Sequence, residues 1–131
     1  MRIQELRLVL TMDDFDHAIA FFRDVLGLEQ VAAWENDGGH AVLLHAGRAT
    51  LEIFDRAQAR AIDEIEVGRR VAGQVRLAFQ STDSGSTAQD LAGAGAEILA
   101  GPTLTPWGDR NVRLVGPEGI QMTLFTPQEA V

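Results

Sequence analysis

The chain has 131 residues, of which 46% are hydrophobic and none is cysteine, and its formal net charge at pH 7 is −8. This size and apolar content predict a single folded domain and argue against intrinsic disorder. The lack of cysteine excludes a disulfide framework, a thiolate metal site and a cysteine nucleophile. The acidic balance disfavours nucleic acid as a partner and favours a cationic or neutral ligand.

Charged residues interrupt every apolar run, and the opening MRIQELRL has the form neither of a signal peptide nor of a membrane span. We therefore expect a cytoplasmic protein with no membrane partner.

The first half of the chain predicts the element order β-α-β-β-β. Ile3–Thr11 alternates in polarity as a strand does, with its leucines on one face and Arg7 on the other. Asp13 or Asp14 can cap the helix that follows, and Gly27 stands where that helix would end. The other strands of this half are predicted at 28–34, 41–45 and 49–54.

The second half repeats this order. Residues 73–80 alternate as a strand, Thr82 or Asp83 can cap a helix, and the glycines at 92–96 end it. The remaining strands are predicted at 96–99 with Leu104, at 111–115 and at 120–125. Two copies of one unusual order, offset by about 70 residues, indicate an internal repeat.

We therefore predict an α+β fold in which two tandem β-α-β-β-β repeats form curved mixed sheets around a shared groove. Residues 1–131 form one domain in this interpretation, with repeat 1 at about 1–55, a connector at about 56–70 and repeat 2 at about 71–127. The connector is dense in charge, and its apolar residues have only loosely helical spacing.

Glu52 points to a function because it is an acidic residue inside the strand Ala49–Phe54. Alternation places Thr50, Glu52 and Phe54 on one face, opposite an apolar core face. A ligand groove has this composition, and so does an ordinary solvated sheet face. The same parity assigns to the groove Arg7, Val9 and Thr11; Thr50, Glu52 and Phe54; Gln74, Arg76 and Ala78; Asn111, Arg113 and Val115; and Gln121, Thr123 and Phe125.

Four segments resemble the vicinal oxygen chelate superfamily, which contains the glyoxalases, the bleomycin resistance proteins and the extradiol dioxygenases. They are DDFDHAIAFFRDVLGL at 13–28, LEIF at 51–54, PWG at 106–108 and GPEGIQMTLF at 116–125. The resemblance implies a single domain of this type across essentially the whole chain.

The resemblance also implies where a metal ion would lie. Metal-dependent members hold a divalent ion with one side chain from the first and last strand of each half, and these positions fall on Arg7, Glu52, Gln74 and Thr123. Arg7 is permanently cationic and Thr123 is a poor ligand, so too few donors remain for a catalytic site. We therefore predict no metal and no cofactor, and we expect Arg7 to pair with Glu52 and lower its pKa.

Aromatic residues are expected at the ends of the groove. Trp34 and Trp107 fall at corresponding hairpin mouths, and with Phe54 and Phe125 they suit a planar or cationic ligand, although edge aromatics that seal a core look the same. The resemblance favours Trp107, because bleomycin-binding relatives also have a PWG turn. The predicted ligand-binding residues are Arg7, Glu52, Phe54, Gln74, Arg76, Trp107, Arg113, Thr123 and Phe125.

Three functional interpretations follow. The first is a metal-independent protein of the glyoxalase/bleomycin-resistance type that binds a small organic ligand, an antibiotic-like or aromatic metabolite, and confers resistance by sequestering it. The alternative is a metal-dependent or metal-free lyase, isomerase or dioxygenase-like enzyme that uses Glu52 as a base. The third is an interaction module with a vestigial groove. In each case the long sheet edges predict a homodimer.

Overall fold

The structure is a computed structural model that describes residues 3–128. Its α-helices are α1 (Phe15–Ile19), which continues as a π-helical segment over Ala20–Val25, α2 (Arg56–Glu66) and α3 (Ser84–Gly93), and a short 3-10 helix spans Pro117–Gly119. Its strands are β1 (Ile3–Thr11), β2 (Glu29–Asn36), β3 (Gly39–Ala46), β4 (Ala49–Phe54), β5 (Val75–Ser81), β6 (Glu97–Leu104), β7 (Asp109–Val115) and β8 (Gln121–Pro127).

The eight strands form one continuous mixed sheet in the order β2-β3-β4-β1-β5-β8-β7-β6. β1 and β5 pair antiparallel at its centre, and each pairs in parallel with the last strand of its own half. The predicted α+β fold of two repeats around a shared groove is thereby confirmed. The two repeats share a single sheet, because their first strands pair directly with each other.

An aspartate caps the start of each α-helix. The side chains of Asp14, Asp55 and Asp83 accept hydrogen bonds from the backbone N–H of the residue three positions later. Such caps satisfy N–H groups that have no partner within the helix. The sequence indicated the caps of α1 and α3, whereas Asp55 opens a helix inside the segment that we interpreted as a connector.

The helices lie on opposite faces of the sheet. α1 packs with Val42, Leu44 and Ile53 on one face, and α3 packs with core residues of β7 and β8. α2 packs against the other face, where Ala59 and Ile62 meet a cluster of Val9, Ala41, Phe54, Ala78 and Phe125. Strand alternation explains this division, because neighbouring residues of one strand face opposite sides. α2 therefore covers the groove.

Gly39 allows α2 to approach the sheet closely. A Cβ atom at Gly39 would overlap the backbone of Gln58 and of Ala57 at the start of α2. Only a residue without a side chain fits this contact. None of the helices in residues 3–128 has the length and apolar character needed to cross a membrane.

Candidate functional site

A cavity of about 280 Å³ lies between the sheet and α2. Its lining residues are Arg7, Trp34, Asn36, Glu52, Phe54, Gln58, Ile62, Glu66, Arg76, Ala78, Trp107, Asp109, Asn111, Thr123, Phe125 and Pro127. Seven of the nine predicted ligand-binding residues are therefore together around one space, and the two exceptions are Gln74 and Arg113. Whether these residues bind a ligand stays a prediction.

The strand register identifies which residues correspond in the two repeats. Across the central β1–β5 ladder, Arg7 lies opposite Ala78 and Val9 lies opposite Arg76. A two-fold operation on this ladder exchanges Arg7 with Arg76. In the parallel ladders, Val9 pairs with Glu52 and Ala78 pairs with Thr123, so Glu52 and Thr123 correspond as well.

Arg76, and not Gln74, therefore occupies the third of the four metal positions, the one that the resemblance assigns to the first strand of the second repeat. Our assignment of Gln74 to this position is wrong by two residues. Gln74 precedes β5, its side chain is exposed, and its carbonyl oxygen accepts a hydrogen bond from the Thr11 backbone. Side chains two residues apart on a strand lie on the same face of the sheet but at different positions along the groove. Strand alternation alone therefore did not reveal the error.

The half of the cavity floor at Thr123 is a closed network of hydrogen bonds. Thr123 Oγ1 accepts from Arg76 Nη1 at 2.7 Å and from Arg113 Nε at 3.2 Å, and it donates to Glu66 Oε1 at 3.0 Å. One hydroxyl offers one donor and two acceptor sites, so all its capacity is used. Asn111 Nδ2 donates to the other oxygen of Glu66 at 2.8 Å.

Arg113 lies beneath this floor, and it does not face the cavity as parity predicted. Its side chain is fully buried between two acids of α2, with Nη1 2.7 Å from Asp63 Oδ1 and Nη2 2.9 Å from Glu66 Oε1. Burial alone would raise the pKa of Asp63, but hydrogen bonds from the Ala72 and Val71 backbone and from Arg113 outweigh it and lower that pKa. α2 is thus joined to the second repeat by buried charge.

The half of the floor at Glu52 has no such network. Glu52 is 9% exposed, and no residue within 3–128 donates a hydrogen bond to its carboxylate. Burial raises the pKa of the Glu52 carboxyl above its ordinary value of 4.5, and the attraction of Arg76 and Arg7 does not offset this effect. Arg7 lowers this pKa as expected, but burial outweighs its effect, so our expectation of a lowered pKa for Glu52 is wrong.

The expected pair between Arg7 and Glu52 does not form. Arg7 Nε donates to Glu5 Oε2 at 3.1 Å, and Nη2 donates to Glu5 Oε1 at 3.3 Å. Glu5 lies two residues away on the same face of β1, so it reaches the guanidinium without crossing the groove.

Two guanidinium–phenyl contacts cross between the repeats. The Arg7 guanidinium lies over the Phe125 ring, 4.8 Å from its centroid, and the Arg76 guanidinium lies over the Phe54 ring at 5.6 Å. The same two-fold relation exchanges these contacts, because Phe54 and Phe125 occupy corresponding positions in β4 and β8. One face of each phenyl ring is thus occupied by a cation from the protein itself.

Trp34 and Trp107 supply apolar walls. Trp107 donates from Nε1 to Asp109 Oδ2 at 3.1 Å, which fixes the indole at the cavity. Burial raises the pKa of Asp109, against the effects of the Trp107 hydrogen bond and of Arg7. The sequence favoured Trp107, and the structure places Trp34 in the lining as well.

Sequence reasoning missed the contribution of α2 to the site. Gln58, Ile62 and Glu66 line the cavity from this helix. Their spacing of four residues places them on one helical face, and this signal was present in the sequence. We interpreted this segment as a connector because it is dense in charge, whereas in the structure this helical face closes the cavity.

The residues at the four metal positions do not suit a metal ion. Arg7 and Arg76 are permanent cations without a lone pair to donate, Thr123 is saturated, and Glu52 is left as the one carboxylate of the set. No cluster of three or more His, Asp or Glu side chains within residues 3–128 is placed to hold a metal.

Comparisons with known proteins agree with this architecture. A family model described as the Glyoxalase/Bleomycin resistance protein/Dioxygenase superfamily matches residues 5–124. A hypothetical protein from Bacillus halodurans C-125 is similar in structure with a TM-score of 0.72 and 12% identity, over 98% of this chain and 97% of that chain. No curated protein matches the sequence.

Two epimerases are also similar in structure. A variant of Streptomyces coelicolor methylmalonyl-CoA epimerase, in complex with 2-nitronate-propionyl-CoA, has a TM-score of 0.70 and 20% identity over 99% of this chain and 98% of that chain. Methylmalonyl-CoA epimerase from Mycobacterium tuberculosis has a TM-score of 0.64 and 19% identity over 98% and 89%. These likenesses show a shared fold. Because the family model spans most of its length, the chain belongs to the glyoxalase/bleomycin resistance protein/dioxygenase superfamily.

Proposed function

We propose that this protein is a cytoplasmic, metal-independent binding protein that holds a small organic molecule between α2 and the sheet. The composition of the four metal positions supports this most directly, because two guanidiniums and a saturated hydroxyl leave one carboxylate to bind an ion. An antibiotic-like or aromatic metabolite is the ligand that we propose, with sequestration and resistance as the biological role.

The size and chemistry of the cavity support an organic ligand. A cavity of about 150 Å³ holds benzene in another protein, and this one has about 280 Å³. Indole walls offer apolar contact, while the buried Gln58 Oε1 and Asn111 Oδ1 have no hydrogen-bond partner among the described residues. A ligand with donor groups would satisfy them. The epimerase from Streptomyces coelicolor also binds an organic ligand with this fold.

Metal analysis tests the proposal. Protein purified without chelator and without a metal-affinity step should contain well under one equivalent of zinc, nickel, iron or manganese by mass spectrometry. Thermal-shift assays should show stabilisation by members of an organic library and none by these ions. Stoichiometric metal in the native protein would contradict the proposal.

A matched variant makes the metal test sharper. Arg7→His with Arg76→His places two imidazoles beside Glu52 and creates three donors of the kind that bind zinc or nickel. If the arginines are what exclude the ion, this double variant should gain a metal-dependent thermal shift that the native protein lacks. The control is Arg48→His with Arg110→His, two exposed positions outside the cavity.

A second candidate function is proton transfer by Glu52, as in an isomerase or a lyase. It is supported by a buried carboxylate that has a raised pKa and no hydrogen-bond donor among the described residues. Incubation of ligands that bind with the protein in D₂O, followed by proton NMR, would detect exchange of a carbon-bound proton. Glu52→Gln should abolish this exchange while binding is retained. A lack of exchange for every bound ligand would leave binding as the function.

We also propose a homodimer. β2 and β6 are the edges of the sheet, and the large apolar side chains Val31 and Leu104 on these strands are 41% and 58% exposed. Unpaired edges are usually covered by another chain or element. Light scattering at micromolar concentration should give twice the 14.2 kDa mass of one chain, and a 14.2 kDa particle would contradict the proposal.

A further inference from the structure

The cavity contains a cation for which the described residues supply no ion-pair partner. Arg76 is 6% exposed and lines the cavity, and its guanidinium makes one hydrogen bond, from Nη1 to Thr123. Within residues 3–128, no carboxylate oxygen lies within 4.0 Å of it. A buried and incompletely bonded guanidinium is unfavourable unless an acceptor reaches its remaining N–H groups.

Arg7 supplies a second cation at the same cavity. Its contact with Glu5 is at the edge, where the side chains of Arg7 and Glu5 are 21% and 24% exposed, and Glu5 is not part of the lining. Because Arg7 and Arg76 lie over Phe125 and Phe54, these rings are already used by the protein's own cations. The phenyl rings therefore do not form the cage that a cationic ligand requires.

The acids of the cavity wall are mostly committed to other groups. Both oxygens of Glu66 accept hydrogen bonds, from Asn111 on one side and from Arg113 and Thr123 on the other. Asp109 accepts from Trp107. Glu52 is the acid of the lining that has no donor within the described chain, and burial opposes its ionisation.

We propose that the cavity recognises an organic anion, a small molecule whose carboxylate is bound by Arg76 and Arg7 and whose flat apolar part contacts Trp34 and Trp107. This inference rests on the proposed function and names its ligand class. It reverses the expectation of a cationic or neutral ligand that followed from the net charge of −8. Net charge describes the whole surface, whereas two guanidiniums and few free acids determine the potential inside the cavity.

Binding of such a ligand should change the protonation of Glu52. Arg7 and Glu5 on β1, Arg76 on β5 and Glu66 on α2 are the charged groups that act on it. A carboxylate bound beside Glu52 favours the protonated acid, because two adjacent carboxylates do not both ionise readily. Binding of the anion is therefore coupled to uptake of a proton, and affinity falls as pH rises.

The test uses three probes with one ring system and different head groups, namely 2-naphthoate, 2-naphthamide and 2-naphthylmethylamine. Calorimetry with the full chain should show that the carboxylate binds about tenfold or more tightly than the amide, because charge-assisted hydrogen bonds are the stronger ones. The amine should show no binding. Glu52→Gln should bind the carboxylate at least as tightly as the native protein and lose the pH dependence.

Variants of the arginines complete the test. Arg76→Gln should reduce the preference for the carboxylate over the amide to less than about threefold, with little change for the amide. Arg48→Gln, at an exposed position of the β3–β4 turn, should leave the preference intact. If Arg76→Gln does not fold, Arg7→Gln at the partly exposed edge carries the same expectation.

Equal binding of carboxylate and amide, tighter binding of the amine, or no binding of any probe would overturn the inference. These results are distinct from failure of the proposed function, which is signalled by stoichiometric metal in the native protein. Tight binding of the amine by metal-free protein would reject an organic anion as the ligand class, whereas the proposal of metal-independent binding would still hold.

Discussion

The two halves of the cavity floor are built from corresponding strands, and they differ in whether their buried polar side chains have hydrogen-bond partners. At Thr123 the threonine hydroxyl and both oxygens of Glu66 have hydrogen-bond partners, and Arg113 joins the sheet to the acids of α2. At Glu52 the position that corresponds to Arg113 is Leu43, because Leu43 pairs with Glu52 as Arg113 pairs with Thr123. The Glu52 carboxylate therefore has no donor among the described residues.

We interpret this difference as a division of roles within one pseudo-symmetric site, in which the half at Thr123 supports the structure and the half at Glu52 can respond to a ligand. A satisfied buried network stabilises one arrangement of the chain, whereas an unsatisfied buried carboxylate costs stability and remains able to respond to a ligand. We infer that the second repeat anchors α2 and that the first repeat supplies the carboxyl group, Glu52, that can interact with a ligand.

Removing Arg113 should have the largest effect on stability. Arg113→Leu gives the second repeat the residue of the first, leaves Glu66 buried without its cation and leaves Asp63 with Arg70 as its remaining ion-pair partner among the described residues. We expect the free energy of unfolding to fall by about 3–5 kcal/mol in urea denaturation. Leu43→Met, the matched change in the first repeat, should cost less than about 1.5 kcal/mol. A cost below about 1 kcal/mol for Arg113→Leu would show that the network does not anchor α2.

Gly39→Ala should displace α2 from the first repeat. The new Cβ overlaps the backbone of Gln58, which cannot rotate away as a side chain can. Overpacking costs about 1–3 kcal/mol, and a clash with backbone belongs at the upper end of that range. Gly73→Ala meets open space and serves as the control. Equal unfolding midpoints for the two variants would mean that α2 does not approach β3 so closely.

Glu52→Gln should stabilise the protein at pH 7 by about 1 kcal/mol, because it removes a buried carboxyl group whose ionisation is opposed by burial and which has no hydrogen-bond donor among the described residues. The pKa of Glu52 is higher in the folded protein than its ordinary value of 4.5. Its ionisation therefore costs no folding stability at a pH below 4.5, and it has its full cost at a pH above the pKa of the folded state. The stabilisation should therefore disappear as the pH falls towards 4. Glu97→Gln at an exposed position is the control, and stabilisation that persists at pH 4 would argue against this cause.

The contact between Arg7 and Glu5 should contribute least. It is partly exposed, and such ion pairs contribute about 0.2–1 kcal/mol. A double-mutant cycle with Arg7→Met and Glu5→Gln should give a coupling energy in this range, and a cycle of Arg7→Met with Glu52→Gln should give a smaller one. If the second coupling is the larger, Arg7 contacts Glu52 in solution.

The fold and most of the cavity lining could be predicted from the sequence, because both follow from patterns that repeat along the chain. Repetition of one element order predicted the pseudo-two-fold arrangement, and strand alternation placed Arg7, Glu52, Phe54 and Thr123 on one face. Alternation repeats every two residues, so it could not distinguish Gln74 from Arg76. Pairing of β5 with β1 determines that choice, and it is a tertiary contact.

The electrostatics of the site were less predictable, because they depend on where α2 lies. Arg113 has the parity of a groove residue, but Asp63 and Glu66 reach it from a helix 47 to 50 residues earlier in the chain. Arg7 had acids available on two sides, and the nearer Glu5 binds it. Without these positions, neither the lack of a donor for Glu52 nor the sign of its pKa shift could be worked out.

Carboxyl titration by carbon-13 NMR tests the difference between the two halves most directly. With Glu52→Gln and Asp63→Asn used to assign the two signals, Glu52 should titrate above its ordinary pKa of 4.5 and Asp63 below its ordinary 3.8. The first result follows from burial without a donor, and the second from hydrogen bonds of the backbone and Arg113 to Asp63. A pKa for Glu52 below 4.5 in the ligand-free protein would contradict the account, because it would mean that this carboxylate has a partner after all.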